Sequence, residues 1–246
     1  MSNLTSKPLL LAAIVLGSML AADASAAIAL DRTRVVFDGS QKSISLSVNN
    51  RNDKLPYLAQ GWIEDADGKK VKEPLMVLPP IQRIEAGKSS QLRIQALPDV
   101  AKLPKDRESL FYFNLREIPP KSSKPNTLQL ALQTRIKLFY RPASLEIAPN
   151  AEPVQNQLTL TRQGNKYSVN NPTGYYITLI NAASHKDAQN NTSFRPLMVA
   201  PKSSAMLSVT ADGLGASPVL TYINDYGGRP DLNFSCSTDH CKVVDK

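Results

Sequence analysis

Hydrophobic and polar residues alternate along much of this chain, most regularly along residues 128–138 (LQLALQTRIKL). Because the side chains of an extended strand point alternately to its two faces, this pattern predicts one long strand. One face of the predicted strand is apolar and carries Leu128, Leu130, Leu132, Ile136 and Leu138. Strands in globular proteins are usually about five or six residues long, so a strand of this length is either well buried or available to pair with a partner.

Shorter stretches of alternation recur on both sides of this strand, and turn-forming pairs such as Asp-Gly and Asn-Asn separate them. Short strands with regular turn signals are typical of β-sandwiches, so the pattern predicts an all-β chain. Pro142 follows the long alternation, and a proline has no N–H to donate to a sheet. We therefore predict an N-terminal domain over 27–142 and a C-terminal domain over 143–246. The alternating stretches are 43–48, 91–96, 109–115, 157–160, 175–180 and 219–223.

The first 26 residues have the features of an export leader. Lys7 precedes an apolar run over 9–20, and the small residues Ala24, Ser25 and Ala26 form a cleavage site. The apolar run is shorter than the about 20 residues that a membrane helix needs. We predict cleavage after Ala26, with a mature protein that is exported and not inserted in a membrane.

Charge and cysteines narrow the classes of partner and of site. The formal net charge is +8, but export and the lack of a dense Lys/Arg run argue against a nucleic-acid partner. Cys236 and Cys241 form an isolated close pair, which in an oxidising compartment favours one local disulfide. A metal site would need more ligands than the two histidines supply, and a redox pair would have the Cys-x-x-Cys spacing.

Catalytic motifs are missing from the sequence. His185 and His240 lie in polar segments outside any nucleophile motif, and we find no phosphate loop or dinucleotide fingerprint. A pair of carboxylates for glycoside cleavage is not excluded, because a sequence does not show how far apart two carboxylates lie in space. We predict a binding or assembly protein without cofactor or metal, not an enzyme. Trp62, the only tryptophan, is predicted to lie in the core of an early strand.

Five segments of the chain are specific: DRTRVVF (31–37), LPYLAQ (55–60), DRESLFYFNLREIPP (106–120), IKLFYRP (136–142) and YINDYGG (222–228). They resemble the periplasmic pilus chaperones of the chaperone–usher pathway. The resemblance implies two immunoglobulin-like β-sandwich domains, set at an angle with a cleft between them. It also implies a chaperone that binds, folds and caps pilin subunits and the adhesin by donor-strand complementation, and delivers them to an outer-membrane usher.

The resemblance also implies the residues that hold a client. Arg34 and Lys137 match two cations that anchor the C-terminal carboxylate of a pilin subunit. Leu128, Leu130 and Leu132 match the alternating residues that fill the groove of an incomplete pilin. From the residues alone, the cations would be solvated surface groups and the leucines would face this protein's own core. Lys137 also has the opposite parity to the leucines, which a twist or bulge could reconcile.

Two further roles come from the resemblance. Glu108, Arg141 and Asp225 match a charged cluster that fixes the relative orientation of the domains. Pro56 matches a proline that gates the usher-binding surface. The same exposed apolar strand makes self-association of the client-free protein an expectation. The alternative function is a secreted immunoglobulin-like adhesin or structural fimbrial subunit.

Overall fold

The computed structural model describes residues 26–148 and 150–244, so the predicted leader, apart from Ala26, lies outside the described residues. The N-terminal half contains two sheets that face each other. The first has the order β1-β3-β8-β6, formed by β1 (Ile28–Leu30), β3 (Ser43–Asn50), β8 (Ser89–Ala96) and β6 (Leu75–Leu78). The second has the order β2-β10-β9-β4-β5, with β7 (Ile81–Ile84) also paired to β4 (Tyr57–Glu64). Its other strands are β2 (Arg34–Asp38), β10 (Gln133–Arg141), β9 (Ser109–Ile118) and β5 (Lys70–Val71).

The C-terminal half is a series of eight strands in the order β14-β13-β16-β17-β18-β11-β12-β15. The outermost strands of this series, β14 and β15, lie in contact, so the series wraps around its own core. A short helix, α1 (Ala211–Leu214), follows β15. The strands are β11 (Thr159–Gln163), β12 (Lys166–Asn171), β13 (Ile177–Ala183), β14 (Leu197–Val199), β15 (Ser203–Thr210), β16 (Val219–Ile223), β17 (Asp231–Ser237) and β18 (His240–Val243).

Two separate apolar cores stabilise these halves. The first contains buried residues between Ile28 and Tyr140, and the second contains buried residues between Leu158 and Cys241. The strands alternate buried and solvent-facing residues as predicted; in β8, for example, Leu92 and Ile94 are fully buried between exposed neighbours. The predicted all-β class with two sandwiches is confirmed. β10 ends at Arg141 and the strands resume at Thr159, while the boundary between 142 and 143 stays a prediction.

The long strand predicted over 128–138 is shorter at its start than the alternation suggested. β10 begins at Gln133, and residues 119–132 form an irregular connection after β9. The Gln129 side chain donates to the Pro120 carbonyl and accepts from the Ser122 N–H, which holds this connection back on itself. Only the Leu132 carbonyl still accepts a ladder bond, from the Glu117 N–H at 3.0 Å. Alternation predicts which side chains share a face, but it does not supply the neighbouring strand that a ladder needs.

The disulfide predicted between Cys236 and Cys241 is present. The two residues are register partners on β17 and β18, and Cys241 is fully buried. The bond therefore joins the last two strands of the second sandwich.

Candidate functional site

The parallel pairing of β2 with β10 brings Arg34 and Lys137 side by side. The two residues are the first register partners of this pairing, which runs to Asp38 and Arg141. It is the one parallel pairing among the strands of the described chain. On both strands the next residue, Val35 and Leu138, is buried in the first core, so both cations point to the outer face of the sheet. Residues 103 positions apart in the sequence thus form one site.

The second sandwich covers this pair of cations. Arg34 Nη1 donates to the Ile223 carbonyl at 3.2 Å, and Lys137 Nζ donates to Thr178 Oγ1 at 3.1 Å. Both acceptors are neutral. Over residues 26–148 and 150–244, no carboxylate lies within 4.0 Å of either cation. Arg34 Nε is buried and has no hydrogen-bond partner in that part of the chain.

Burial makes both charges unfavourable in the protein without a ligand. It lowers the pKa of Lys137, and the neighbouring Arg34 charge lowers it further. Burial also lowers the pKa of Arg34, against an opposing effect of the more distant Asp225 charge. A half-buried cation with a lowered pKa is stabilised by a nearby anion. The site therefore favours an anionic ligand.

The strand edge beside these cations is open. β2 pairs only with the last five residues of β10, so residues 133–136 have a partner on the β9 side and none on the β2 side within the described structure. An unpaired row of backbone N–H and C=O groups is a template for another strand. No register shift occurs along β10, so the bulge considered for the parity of Lys137 does not occur over 133–140.

The alternating leucines lie upstream of this open edge and are solvent-exposed. Leu128, Leu130 and Leu132 are 83%, 67% and 42% exposed. The interpretation that they face this protein's own core is wrong, because the core side of the sheet ends at Ile136 and β9 ends at Ile118. In the sequence they share the parity of Ile136, but residues 128–132 are not part of a strand in the described structure. Lys137 and Arg34 lie on the outer face of the sheet.

The predicted charged cluster is assembled as one network between the sandwiches. Arg141 on β10 contacts Glu108 at 2.8 Å and Asp225 of the second sandwich at 2.8 Å. Glu108 also accepts from the Tyr176 N–H at 2.8 Å, which adds a second bond between the two halves. Burial raises the pKa of Glu108, against the opposing charge of Arg141. Burial opposes the charge of Arg141, but Asp225 and Glu108 outweigh this effect and raise its pKa.

An aromatic contact that was not predicted lies between these two charged sites. Phe139 lies between Lys137 and Arg141 on the outer face of β10 and stacks on Tyr176, with ring centroids 5.5 Å apart. Phe139 breaks the alternation, since residues 138–140 are all apolar and all buried. A run with both faces apolar indicates a strand covered on both sides. That signal could have predicted the contact with the second sandwich.

Pro56 lies apart from the other predicted residues. It directly precedes β4, whose first residues pair with the end of β9, while the last residue of β4, Glu64, pairs with Tyr112 in the row of Lys137. The length of β4, roughly 25 Å at about 3.4 Å per residue, therefore separates Pro56 from the cations. Pro56 is half-buried beside the exposed Leu55.

Trp62 is not a core residue, contrary to its prediction. Ala59, Gly61 and Ile63 form the buried face of β4, so Trp62 points outward. There its ring lies beneath the Arg116 guanidinium, 5.1 Å from the ring centroid. Trp62 has the parity of the half-exposed residues of β4, and this parity decides which face it lies on.

Neither a metal cluster nor a membrane helix is found in the described ranges. No group of three or more His, Cys, Asp or Glu residues there could hold a metal ion. No helix there is long and apolar enough to cross a membrane.

The fold and the site together define a protein of two β-sandwiches, with two unpaired cations beside an open strand edge in the described chain. Known proteins match both halves of this chain. A family model for the N-terminal domain of PapD, described as a pili and flagellar-assembly chaperone, matches residues 27–146. The model for the PapD C-terminal domain, of a pili assembly chaperone, matches 153–234.

Individual relatives agree with these matches. The chain is 51% identical to the probable fimbrial chaperone YfcS of Escherichia coli K12 over 95% of this chain and 93% of the relative. It is 49% identical to the chaperone protein PapD of Escherichia coli over 96% of this chain and 97% of the relative. The crystal structure of the periplasmic chaperone SfaE covers 84% of this chain and 98% of its own, with 34% identity and a TM-score of 0.67. The SafB chaperone was solved in complex with the SafA pilin of Salmonella enterica. That structure is 28% identical to this chain, covers 87% of this chain and 99% of its own, and has a TM-score of 0.70.

The chain belongs to the pilus assembly chaperone family. This assignment confirms the resemblance and favours a chaperone over an adhesin or structural subunit. The family is one of chaperones and not of enzymes.

Proposed function

We propose that this protein is a periplasmic chaperone that binds pilin subunits and the adhesin, completes their fold with its own strand, and delivers them to an outer-membrane usher. The observation that carries this proposal is the Arg34–Lys137 pair, which lacks a carboxylate partner in the described chain and lies where β2 stops covering β10. The SafB chaperone was solved with a pilin, which supports the same class of client here.

The anchor and the open edge together define the direction of the client strand. β2 is parallel to β10 and begins at Arg34. A client strand that ends at Arg34 can take the place that β2 leaves empty and pair with residues 133–136. If its C-terminal carboxylate contacts both cations, this strand runs parallel to β10. Each charge-assisted hydrogen bond contributes about 1.5–3 kcal/mol, and the carboxylate fixes the register of the residues upstream.

The exposed leucines supply the apolar part of the contact. A pilin that lacks one strand has an open groove and unpaired backbone groups, and an added strand satisfies both. Burial of one leucine side chain contributes about 1.5–3 kcal/mol before the cost of ordering the segment. When this segment is extended along the client, Leu128, Leu130 and Leu132 have the opposite parity to Lys137. The leucine side chains and the carboxylate are then recognised on opposite faces of one donor strand.

The remaining assignments rest on the family. Arg141, Glu108 and Asp225 hold the two domains in one orientation, so that Thr178 and Ile223 stay over the anchor. Pro56 gates a separate usher-binding surface, at the end of the first sandwich far from the anchor. The leader is removed after Ala26, and the domain boundary falls between 142 and 143. Self-association hides the leucines when no client is bound.

Co-purification from the periplasm tests the proposal. Tagged protein is co-expressed with a pilin subunit, and the pilin that it carries is quantified. We expect Arg34→Ala and Lys137→Ala to abolish recovery of the pilin while the chaperone stays folded by circular dichroism. Arg93→Ala is the matched control, since Arg93 is an exposed strand cation on the other sheet. Normal pilin recovery with either anchor variant would refute the anchor.

A further inference from the structure

A buried carboxylate at the far end of β9 has no cation to neutralise it. Glu117 is only 5% exposed and points toward the first core, with the same parity as Phe113 and Leu115. Its Oε2 accepts one hydrogen bond, from the N–H of Ile28 at 2.8 Å. Over residues 26–148 and 150–244, no Lys, Arg or His nitrogen lies within 4.0 Å of it.

The Glu117 carboxylate has capacity for more partners than this one N–H. A buried carboxylate is normally paired with a cation or held by several hydrogen bonds, because transfer of a charge from water is costly. A further donor can therefore bind at this position, and the element that contacts it points to the source.

That element is β1, the first strand of the described chain. Ile28 is its first residue, and the Ala27 nitrogen is three covalent bonds away from the Ile28 nitrogen. Ala27 is held on this strand, since its carbonyl accepts from the Arg51 N–H at 2.7 Å. If the leader is cleaved after Ala26, the Ala27 nitrogen becomes an α-ammonium with three donors and a positive charge.

We propose that Glu117 is a receptor for the new N-terminus: the α-ammonium of Ala27 forms a buried ion pair with the Glu117 carboxylate, and this pair exists only after the leader has been removed. The hydrolysed bond is the Ala26–Ala27 peptide bond, and the new amine takes up a proton from water. The proposal rests on the predicted cleavage site and not on the client-binding function.

Glu117 also connects this site to the segment that carries the leucines. Its backbone N–H donates to the Leu132 carbonyl, the last ladder bond before residues 119–132 leave the sheet. The ion pair therefore fixes β1 and the C-terminal end of the leucine segment at one point. Removal of the leader both completes the first sandwich and orders the base of this segment.

A double-mutant cycle on the full mature chain tests the pair. The exported protein is first weighed by intact mass spectrometry, which must give Ala27 as its first residue. Urea unfolding is then measured for this form and for one that carries Gly-Ser before Ala27, each with Glu117 and with Glu117→Gln. We expect the extension to raise the unfolding equilibrium constant about tenfold or more with Glu117, and to have little effect with Glu117→Gln.

The controls separate charge from bulk. The same Gly-Ser extension at the C-terminus and the exposed Glu152→Gln, each combined with the N-terminal extension, should show no coupling. Equal destabilisation by the N-terminal extension in the Glu117 and Glu117→Gln proteins, or a first residue other than Ala27, overturns the proposal. If Glu117→Gln does not fold, a crystal structure of the exported wild type decides: a nitrogen–carboxylate distance within 4 Å supports the pair, and a longer distance refutes it.

Discussion

Two of the three cations on the outer face of β10 are held in opposite ways by the fold. Arg141 and Lys137 both lie on the outer face of β10, separated by Phe139, and both are covered by the second sandwich. Arg141 contacts two carboxylates of this chain, at 2.8 Å each. Lys137 contacts a hydroxyl and lies beside a second cation, Arg34.

The difference distinguishes a structural charge from a binding charge. The carboxylates raise the pKa of Arg141, so its charge is stabilised by the fold. Burial lowers the pKa of Lys137, so its charge is tolerated by the fold and needs an outside anion. Arg141 is thus expected to matter for the stability of the protein alone, and Lys137 for its complex.

The largest effect is expected from Arg141→Met. It leaves Glu108, whose side chain is 2% exposed, as a buried charge without its partner. Loss of one member of a buried pair costs about 3–5 kcal/mol in free energy of unfolding. Urea denaturation measures it. The double variant Glu108→Gln/Arg141→Met should recover part of the lost free energy of unfolding. An unchanged urea midpoint for Arg141→Met would show that Arg141 is not a structural charge.

Lys137→Met should weaken the complex and spare the chaperone. We expect affinity for a pilin to fall about tenfold to a hundredfold, because one charge-assisted hydrogen bond to the carboxylate is lost. The free energy of unfolding of the free protein should stay equal or rise, since a half-buried cation without a counter-ion is removed. Calorimetric titration and urea denaturation on the same samples measure both. Clear destabilisation would make Lys137 a structural residue like Arg141.

Leu130→Glu should reduce pilin binding by about ten- to a hundredfold, since one leucine burial is replaced by a charge. The stability of the free protein should hardly change, because Leu130 is 67% exposed. Ile81→Glu is the control, because Ile81 is an apolar residue that is 45% exposed on β7, away from the leucine segment in sequence. Sedimentation of the free protein should also show weaker self-association for Leu130→Glu, and identical association would discard that expectation.

The smallest effect is a pH dependence. The folded-state pKa of Lys137 is lowered, so above that pKa and up to the unfolded value of about 10.4 the unfolded chain binds more protons. Stability of the free protein should therefore rise with pH in this window. The rise in stability is measured as the difference between wild type and Lys137→Met. This comparison is needed because tyrosines with raised pKa values, such as Tyr176, also titrate at high pH. Parallel curves for the two proteins would show that burial does not affect the Lys137 charge.

Alternation predicted seven of the eighteen described strands, and the ends of only some of these. Alternation locates β3, β8 and β16 to within two residues of their bounds, because each buries one face on a core. The alternation predicts a strand wrongly at Leu128, Leu130 and Leu132. The alternating pattern is present there, but no neighbouring strand pairs with these residues in the described structure. Those exposed leucines are also the segment that a client is proposed to use.

The site could be predicted only in part. Arg34, Glu108 and Asp225 are scattered over the chain, so nothing but a family resemblance could group them with β10. The structure brings them to one face through the parallel β2–β10 pairing and the turn after β16. Contacts to the backbone, such as Arg34 to the Ile223 carbonyl, leave no trace in residue identity.

The most direct test of the anchor is the affinity for a peptide with the sequence of a pilin's last strand, made with a C-terminal carboxylate or with an amide. We predict that the amide binds wild type at least about tenfold more weakly. We also predict that the two peptides differ little in affinity for the Arg34→Ala/Lys137→Ala double variant. Equal affinity of the two peptides for wild type would show that Arg34 and Lys137 do not bind the terminal carboxylate.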